Sequence, residues 1–470
     1  MEIVRRRVGN IRQYQQRQPK WYQIARKLAS PCLTYIDWRQ RQLYQHWQRR
    51  HPVVTAPITE RPLMSIVVPL YNTPAQYLAE MVASVQGQSY DNWELILVDD
   101  LSTDQRVRDD IRQFVDTDPR IKGHFLPENR HIAGATNAGI AQARGDFVSL
   151  LDHDDLLHQH ALWKVVEVIN QHPGAQFIYT DEAKYDTHGP YQPFFKPDWN
   201  PDFLRSVNYI THFSTIKRSL LEAAGGEDGR YNGTQDWELF LRLTRQIAAE
   251  TIYHIPHILY YWRVHQASTA GELDAKPYVV AAQRQALEDD IAARQVTATV
   301  QRDPVYGAQW RIDYTPPERP TVSYLSPSQQ TVGEVLPSLS SHFVILSQQR
   351  HLPPAYIRAL AAEAARSDVG AVSGRLNDSL VRENLKFLLA DDTTRLIQKL
   401  NRRSFTHHIY LTATYNIPEI DSPLIMIDTA KLRQLDQSTP LTSRALSRAL
   451  QSAGYRTVYS PHITANKEEE

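Results

Sequence analysis

Cysteine is almost absent from this chain of 470 residues, in which Cys32 stands alone. A disulfide framework within the chain is therefore excluded. Long hydrophobic runs are missing too, since no apolar stretch approaches the roughly 18 residues that a membrane-spanning helix needs. The amino terminus is charged and lacks the apolar segment of a signal peptide. These absences predict a cytoplasmic protein, and 42% hydrophobic with 22% charged residues is typical of an ordinary globular chain with several domains.

Acidic residues are scarce at the start of the chain, although the formal net charge of the whole is zero. Residues 1–51 contain twelve lysines and arginines but only two acids, Glu2 and Asp37, which gives +10. We predict a basic helical segment here, with Pro31 separating two helices. One interpretation is a helical hairpin packed on the main domain, and the other is peripheral contact with an anionic membrane. We expect no nucleic-acid partner, because no recognition motif accompanies the charge.

The rest of the chain divides at proline-rich stretches. Residues 52–62 are predicted to be a linker, and residues 63–300 then alternate apolar strand patterns with helical ones. This alternation predicts an α/β fold with a doubly wound, mostly parallel sheet, in which helices are expected over about residues 75–86 and over residues 156–171, among others. A second linker is predicted over 301–320, followed by a smaller α/β domain over 321–470. The glycine patterns of P-loop NTPases and of dinucleotide oxidoreductases are both missing, which argues against those two classes.

Carboxylates follow two of the predicted strands. Asp152-His153-Asp154-Asp155 comes directly after the apolar run 147–151, and Asp99-Asp100 ends an earlier strand. In a parallel sheet both ends lie on the edge where ligands bind. Carboxylates with one residue between them can share a divalent cation that also binds phosphate oxygens. The alternative interpretation of these residues is a solvated acidic loop or a helix N-cap. A zinc site is not expected, because no cysteine or His-Glu-x-x-His pattern accompanies the nearby histidines.

Six motifs occur in an order that resembles the family 2 glycosyltransferases with the GT-A fold. They are Ser-Ile-Val-Val-Pro-Leu-Tyr-Asn (65–72), Val-Asp-Asp-Leu-Ser-Thr-Asp (98–104), Asn-Ala-Gly-Ile-Ala-Gln-Ala-Arg-Gly-Asp (137–146), Leu-Asp-His-Asp-Asp (151–155), Gln-Asp-Trp-Glu-Leu (235–239) and Trp-Arg-Val-His-Gln-Ala-Ser-Thr (262–269). The resemblance covers about residues 62–300. It implies an inverting transfer of a sugar from a nucleotide-diphosphate sugar to a glycan or lipid-linked acceptor. A segment around 195–202 resembles bacterial members that build rhamnan and O-antigen polysaccharides, and there Phe195 and Trp199 would offer apolar faces to sugar rings.

The resemblance also implies roles for individual residues. Asp154 and His265 would hold Mn²⁺ or Mg²⁺, and Asp236 would be the general base. Asp152 would lie beside the ribose of the nucleotide-sugar, Asp100 would accept a hydrogen bond from the nucleobase, and Tyr71 would stack on the nucleobase. The residues that would bind the nucleotide-sugar are Pro69, Tyr71, Asp100, Asp152 and Arg263.

Each of these roles has a plainer alternative. Tyr71 could be a core residue, Asp236 could cap a helix over 237–244, and Arg263 could pair with a carboxylate instead of a phosphate. For the whole protein, the alternative function is a non-catalytic scaffold that binds a nucleotide-sugar or a glycan.

The second half lacks the chemistry of the first. Its strand patterns resemble a degenerate copy of the glycosyltransferase domain, in which Ser347-Gln348-Gln349-Arg350 replaces the acidic segment and Leu441-Thr442-Ser443-Arg444 replaces the segment with the base. Only about 20 residues separate its first two strands, too few for a nucleotide-binding βαβ unit. The alternative is an unrelated α/β appendage.

Overall fold

A computed structural model describes residues 38–264, 277–303, 309–349, 352–375, 389, 409–410 and 412–464. They form two compact units. Among the described residues, the first unit comprises 38–199, 210–264 and 277–287, and the second comprises 200–209 together with the described residues from 288 onward. In the part of the chain so described, no helix has the length and apolar character needed to cross a membrane.

The first unit is built on a nine-stranded sheet with the order β3-β2-β1-β4-β8-β6-β9-β5, in which β7 also pairs with β6. Its strands are β1 (Met64–Leu70), β2 (Trp93–Asp99), β3 (Ile121–Phe125), β4 (Phe147–Leu150), β5 (Leu156–Leu157), β6 (Phe177–Asp186), β7 (Gly189–Phe194), β8 (Ser214–Lys217) and β9 (Ile252–Arg263). Its helices are α1 (38–50), α2 (Ala75–Gln86), α3 (Gln105–Thr117), α4 (His131–Gln142), α5 (Ala161–Gln171), α7 (Arg218–Ala224), α8 (Gln235–Thr244) and the start of α9 (Pro277–Ala293).

Helices cover both faces of this sheet. Successive residues of a strand point to opposite faces. Ile66 and Val68 of β1 therefore join the core with α2 and α5, while Val67 faces α4, where a Cβ built on Gly139 would lie 2.4 Å from it. Strands β1, β2, β3 and β4 run parallel, so the predicted doubly wound, mostly parallel GT-A sheet is confirmed.

Two local predictions are wrong. The helix expected over 156–171 is a short strand followed by α5, because Leu156 and Leu157 pair with β9 across a hundred residues of sequence. The stretch 301–320 predicted as a linker contains a strand, Trp310–Tyr314, which forms a hairpin with its neighbour. Neither pairing could be anticipated from the local pattern.

The described part of the basic segment packs on the first unit. Tyr44 of α1 is fully buried, and Arg41 pairs with Asp186 at the end of β6. Trp47 lies edge-on to Phe195, with ring centroids 4.9 Å apart. Residues 38–50 thus follow the packed interpretation, whereas residues 1–37, including Pro31, lie outside the described residues.

The second unit has its own six-stranded sheet with the order β12-β13-β16-β14-β17-β15. The strands of this sheet are β12 (Val322–Leu325), β13 (Phe343–Ser347), β14 (Val369–Arg375), β15 (Tyr415–Asn416), β16 (Leu424–Asp428) and β17 (Arg456–Thr464). A separate hairpin in the second unit consists of β10 (Ala298–Arg302) and β11 (Trp310–Tyr314). The helices of the second unit are α6 (Pro201–Ser206), the end of α9, α10 (Val332–Val335), α11 (Pro354–Ala364), α12 (Thr429–Leu432) and α13 (Ser443–Ser452).

The second sheet repeats the topology of half of the first. The path β12-β13-β16-β14-β17 is paired parallel, antiparallel, antiparallel and parallel. The path β1-β4-β8-β6-β9 has the same succession of pairings, and the strands of both paths follow the same chain order. Among the described residues of the second sheet, nothing corresponds to β2 and β3. The second unit is therefore an additional α/β domain whose strand pairings match those of half of the first sheet, and its interpretation as a degenerate copy stays a prediction.

Candidate functional site

The carboxyl ends of β1, β2 and β4 meet at one edge of the first sheet. Leu70 is in register with Asp99, and Val67 is in register with Leu150, two residues before Asp152. This register follows from parallel pairing of three buried strands, which brings together side chains far apart in sequence. Pro69 lies within β1 and is half-buried. Tyr71, just beyond β1, is 48% exposed, so the interpretation of Tyr71 as a core residue is wrong.

The two carboxylates after β2 point to different partners. Asp99 is buried and accepts hydrogen bonds from Arg108 Nε (2.7 Å) and from the Ser102 amide (3.1 Å), which fixes the loop after the strand. Asp100 is also buried and accepts a 2.6 Å hydrogen bond from the Arg130 amide. Burial raises the pKa of Asp100, while the bond from Arg130 acts against that shift. Asp99 thus supports the loop that presents Asp100.

The three carboxylates after β4 differ in exposure. The side chain of Asp152 is 46% exposed and that of Asp154 is 17% exposed, whereas Asp155 is fully buried. Asp155 accepts hydrogen bonds from the Tyr260 hydroxyl (2.5 Å) and the Arg263 amide (2.7 Å). Burial, followed by the charges of Asp152 and Asp154, raises the pKa of Asp155 well above its ordinary value. Asp155 therefore connects the acidic segment, residues 152–155, to β9. The side chains of Asp152 and Asp154 are the more exposed ones at this edge of the sheet, which we call the cleft.

His212, which the sequence motifs did not indicate, lies between two carboxylates. Its Nε2 is 3.4 Å from Asp152 Oδ2, and its Nδ1 is 3.3 Å from Glu182 Oε2. Burial acts to lower the pKa of His212, but the two carboxylates outweigh it and raise that pKa well above the ordinary value. In turn, His212 lowers the pKa of Asp152 against the opposing effect of burial.

One group in the described part of the chain has metal-ligand geometry. Ligand atoms of Asp152, Asp155 and His212 lie within 4.8 Å of one another. This group differs from the predicted pair, since it contains neither Asp154 nor His265, and His265 lies outside the described residues. Carboxylate ligands suit Mn²⁺ and Mg²⁺. Both oxygens of Asp155 already accept short hydrogen bonds, which leaves the carboxylate of Asp152 as the better donor of this group, and the role of Asp154 as a metal ligand stays a prediction.

Arg263 is held by protein groups. Its Nη2 pairs with Glu80 Oε2 at 2.6 Å, its Nε donates to the Asp154 carbonyl at 2.5 Å, and its guanidinium lies 4.6 Å from the ring centroid of Tyr77. The sequence left open whether Arg263 binds a phosphate or pairs with a carboxylate, and in the structure it pairs with the carboxylate of Glu80. By donating to the backbone of Asp154, Arg263 also fixes the acidic segment.

Asp236 lies in the first turn of α8. The helix begins at Gln235 with Thr234 at the N-cap position, so the interpretation of Asp236 as the helix cap is wrong. Asp236 is half-buried. Glu227, in the loop before this helix, is buried, and its Oε2 has no hydrogen-bond partner within the described structure. Burial and then the charge of Asp236 raise the pKa of Glu227 well above its ordinary value, and Asp152 adds to the effect. Asp236 and Asp152 thus act on the same buried carboxyl group.

The aromatic prediction for 195–199 is wrong in part. Phe195 is only 2% exposed and packs against Trp47, so it cannot offer its face to a sugar ring, whereas Trp199 is half-buried. The neighbouring residue Lys196 has another role, because its buried ammonium group pairs with Glu182 behind His212. A buried lysine next to buried carboxylates is not recognisable in the sequence without the pairing of the strands.

Comparisons with known proteins agree with this geometry. The sequence model described as glycosyl transferase family 2 matches residues 65–225. An uncharacterized protein of Sinorhizobium fredii is 40% identical over 283 residues, covering 58% of this chain and 31% of the relative. The O-antigen biosynthesis protein RfbC of Myxococcus xanthus is 36% identical over 274 residues, covering 58% of this chain and 21% of the relative. The chain therefore spans a third or less of the length of these two relatives.

Solved structures also align with the chain. The structure of S. aureus TarS 1-349 has a TM-score of 0.39 at 19% identity and covers 48% of this chain and 65% of its own. On the sequence match and the motifs that surround the cleft, residues 65–225 belong to glycosyl transferase family 2.

Proposed function

We propose that this chain is an inverting, metal-dependent glycosyltransferase that moves a sugar from a nucleotide-diphosphate sugar to a glycan or lipid-linked acceptor. The observation that carries the proposal is the convergence of Asp100, Asp152 and Asp154 at one sheet edge, with Asp236 acting on the same buried carboxyl group as Asp152. Family membership supports transfer chemistry. Relatives named for O-antigen and teichuronic acid biosynthesis support a bacterial surface polysaccharide as the product.

The proposed reaction is a single displacement. The oxygen of an acceptor hydroxyl attacks the anomeric carbon while the bond from that carbon to the diphosphate oxygen breaks. Asp236 accepts the hydroxyl proton, and the nucleoside diphosphate leaves with the electron pair. One attack from the opposite face inverts the anomeric centre. Tyr71 is exposed beside Asp100 and so can stack on the base, while Asp152 faces the ribose.

A divalent cation, when bound by Asp154 and Asp152, supplies positive charge to the diphosphate. The chain's own contribution is to hold these carboxylates in place, because Arg263 fixes the backbone of Asp154 and Asp155 fixes the segment to β9. We further propose that the protein works at the cytoplasmic side of a membrane, with the basic residues 1–37 as the peripheral contact, since residues 38–50 pack on the first unit. Liposome sedimentation with and without those residues tests that part.

The decisive experiment is a panel of UDP-, GDP-, dTDP- and CDP-sugars, measured with and without Mn²⁺ by thermal stabilisation and by release of nucleotide. The correct donor should stabilise the protein by mass action. Asp236→Asn should lower turnover about 10²- to 10⁴-fold with donor binding retained. Asp109→Asn, at an exposed carboxylate on α3, is the matched control and should leave both unchanged.

The alternative is a scaffold that binds without catalysis. It predicts a donor that stabilises the wild type without any transfer or hydrolysis, and Asp236→Asn would then change nothing that can be measured. If the wild type is active and Asp236→Asn has the same turnover, the assignment of Asp236 as the general base is wrong, while the proposed transfer reaction still holds.

A further inference from the structure

We propose that His212 is a positioning residue of the donor site, which fixes the carboxylate of Asp152 and is itself held from behind by Glu182 and Lys196. The proposal rests on the proposed function, because it assigns Asp152 to the binding of a nucleotide-sugar. It adds a residue that the family motifs within the chain do not contain.

The imidazole of His212 has little freedom to move. Its ring is stacked on Tyr260, with centroids 4.5 Å apart and planes at 9°. One ring nitrogen is directed to Asp152 (3.4 Å) and the other to Glu182 (3.3 Å), and the side chain is 20% exposed. A ring fixed by stacking, with a carboxylate oxygen at ion-pair distance from each nitrogen, holds its outer partner in one orientation.

Glu182 is the fixed point behind the histidine. It is buried, and its Oε2 accepts from the Thr211 hydroxyl (2.7 Å), from Lys196 Nζ (3.0 Å) and from the His212 amide (3.3 Å). Lys196 is also buried and donates to the carbonyls of Ile210 (2.6 Å) and His212. A buried ion pair whose remaining atoms are satisfied resists rearrangement, because breaking it leaves a buried charge. The chain Lys196–Glu182–His212 is thus rigid up to the cleft.

Asp152 needs such support. Its side chain is 46% exposed, and an exposed carboxylate that takes several rotamers binds its ligand less tightly, because binding then has to order it. A misplacement of about 1 Å can cost about 10²-fold in rate, and loss of a partner that orients a ligand residue typically costs about 10- to 100-fold in affinity or activity.

The chain offers a matched control in His254. This histidine also lies between two carboxylates, Asp181 (2.8 Å) and Asp198 (3.2 Å), and is also stacked on a tyrosine, Tyr179, at 5.0 Å. Its partners belong to β6 and to the loop after β7, and neither is among the residues assigned to the donor. Replacing His254 perturbs a similar buried pair without touching Asp152.

The experiment measures equilibrium binding of UDP, GDP, dTDP and CDP in the presence of Mn²⁺ to the full wild-type chain and to chains carrying His212→Phe, His212→Gln or His254→Phe. Phenylalanine keeps the stacking and removes both polar contacts, whereas glutamine restores a polar contact with Asp152. We expect His212→Phe to raise Kd for the bound nucleotide about 10- to 100-fold, His212→Gln to recover part of that loss, and His254→Phe to leave Kd within twofold. Glu182→Gln is a second route to the same result if His212→Phe does not fold.

An unchanged Kd in His212→Phe overturns the proposal, and so does an equal increase in His254→Phe, which would indicate a general loss of packing. A wild type that binds a nucleotide but transfers no sugar contradicts the proposed function and leaves the effect of His212 on Kd intact. A wild type that binds none of the four nucleotides contradicts both proposals.

Discussion

Replacing Asp155 by alanine should destabilise the first unit without removing a metal ligand. The carboxyl group is fully buried and is the acceptor for the Tyr260 hydroxyl and the Arg263 amide. Its pKa lies well above the ordinary value, because burial and two neighbouring acids disfavour the charged form. A carboxyl group of that kind serves as a hydrogen-bond acceptor within the protein more readily than as a ligand of a cation.

The magnitude follows from the groups left behind. Asp155→Ala deprives two buried donors of their acceptor, at about 1–3 kcal/mol each, so the free energy of unfolding should fall by about 2–6 kcal/mol. Asp155→Asn retains a carbonyl oxygen for the Arg263 amide and should cost only about 1 kcal/mol. Tyr260→Phe removes a single donor, and because the two residues share one hydrogen bond, its effect should not add to that of Asp155→Ala.

Urea unfolding followed by tryptophan fluorescence measures these differences, and the thermal shift with Mn²⁺ and nucleotide reports the site. We expect Asp155→Asn to keep the thermal shift, whereas Asp154→Asn should lose it. Asp155→Ala with the stability of the wild type would refute the reasoning. So would an Asp155→Asn protein of normal stability that no longer responds to Mn²⁺, since Asp155 would then be a ligand.

Three further predictions concern stability. Burial and two neighbouring histidines lower the pKa of His158 from 6.5 to about 4, so the folded state disfavours its protonation. Up to about 3 kcal/mol should be lost as the pH falls from about 6.5 to about 4, and urea melts at several pH values should show a flatter dependence in His158→Asn. Gly139→Ala should lower the melting temperature, because a Cβ there lies 2.4 Å from Val67 and overpacking of about 1–3 kcal/mol exceeds the gain in helix propensity. Arg366→Met should destabilise the second unit by about 3–5 kcal/mol in urea melts, because buried Glu363, 2.7 Å away, loses its arginine and Asp202, also 2.7 Å away, loses one of its two arginines.

Regular elements with clear local signals were predictable from the sequence. Helix α2 has the predicted bounds, because Pro74 and Gly87 flank an amphipathic stretch. Strands β2 and β4 were recognisable as apolar runs followed by carboxylates, and their common edge followed from the fold class. The base Asp236 and the residues for the nucleotide-sugar remain predictions, placed near one another by the geometry.

The residues that sequence reasoning missed depend on long-range contacts. His212 is 60 positions from Asp152, and no periodicity connects them. Asn137 belongs to a recognised motif, yet its side chain holds the backbone of Glu227 through bonds of 2.8 and 2.7 Å. A motif shows that a residue such as Asn137 is characteristic of a family. It does not show whether that residue contacts a ligand or holds a loop in place.

The second domain has an arginine at the position that corresponds to Asp236 in its strand and helix order. Asp236 is the second residue of α8, and Arg444 is the second residue of the corresponding helix α13, where it pairs with Asp421 at 2.6 Å. The strand that corresponds to β4 ends in Ser347 instead of reaching a carboxylate. A cation thus stands at the position of the predicted base.

The segment Asn200–Tyr209 has a consequence for the exchange of domains between proteins. In sequence it lies inside the family 2 domain, but it belongs to the second unit, where Asp202 pairs with Arg366 and Arg205 pairs with Asp290. A recombinant fragment cut at residue 300 would keep both charges of this segment and lose Arg366. Chimeras that graft a new transferase domain onto this carboxy-terminal half therefore need to carry residues 200–209 with the host half, because the described chain crosses the boundary between the two units three times, after residues 199, 209 and 287.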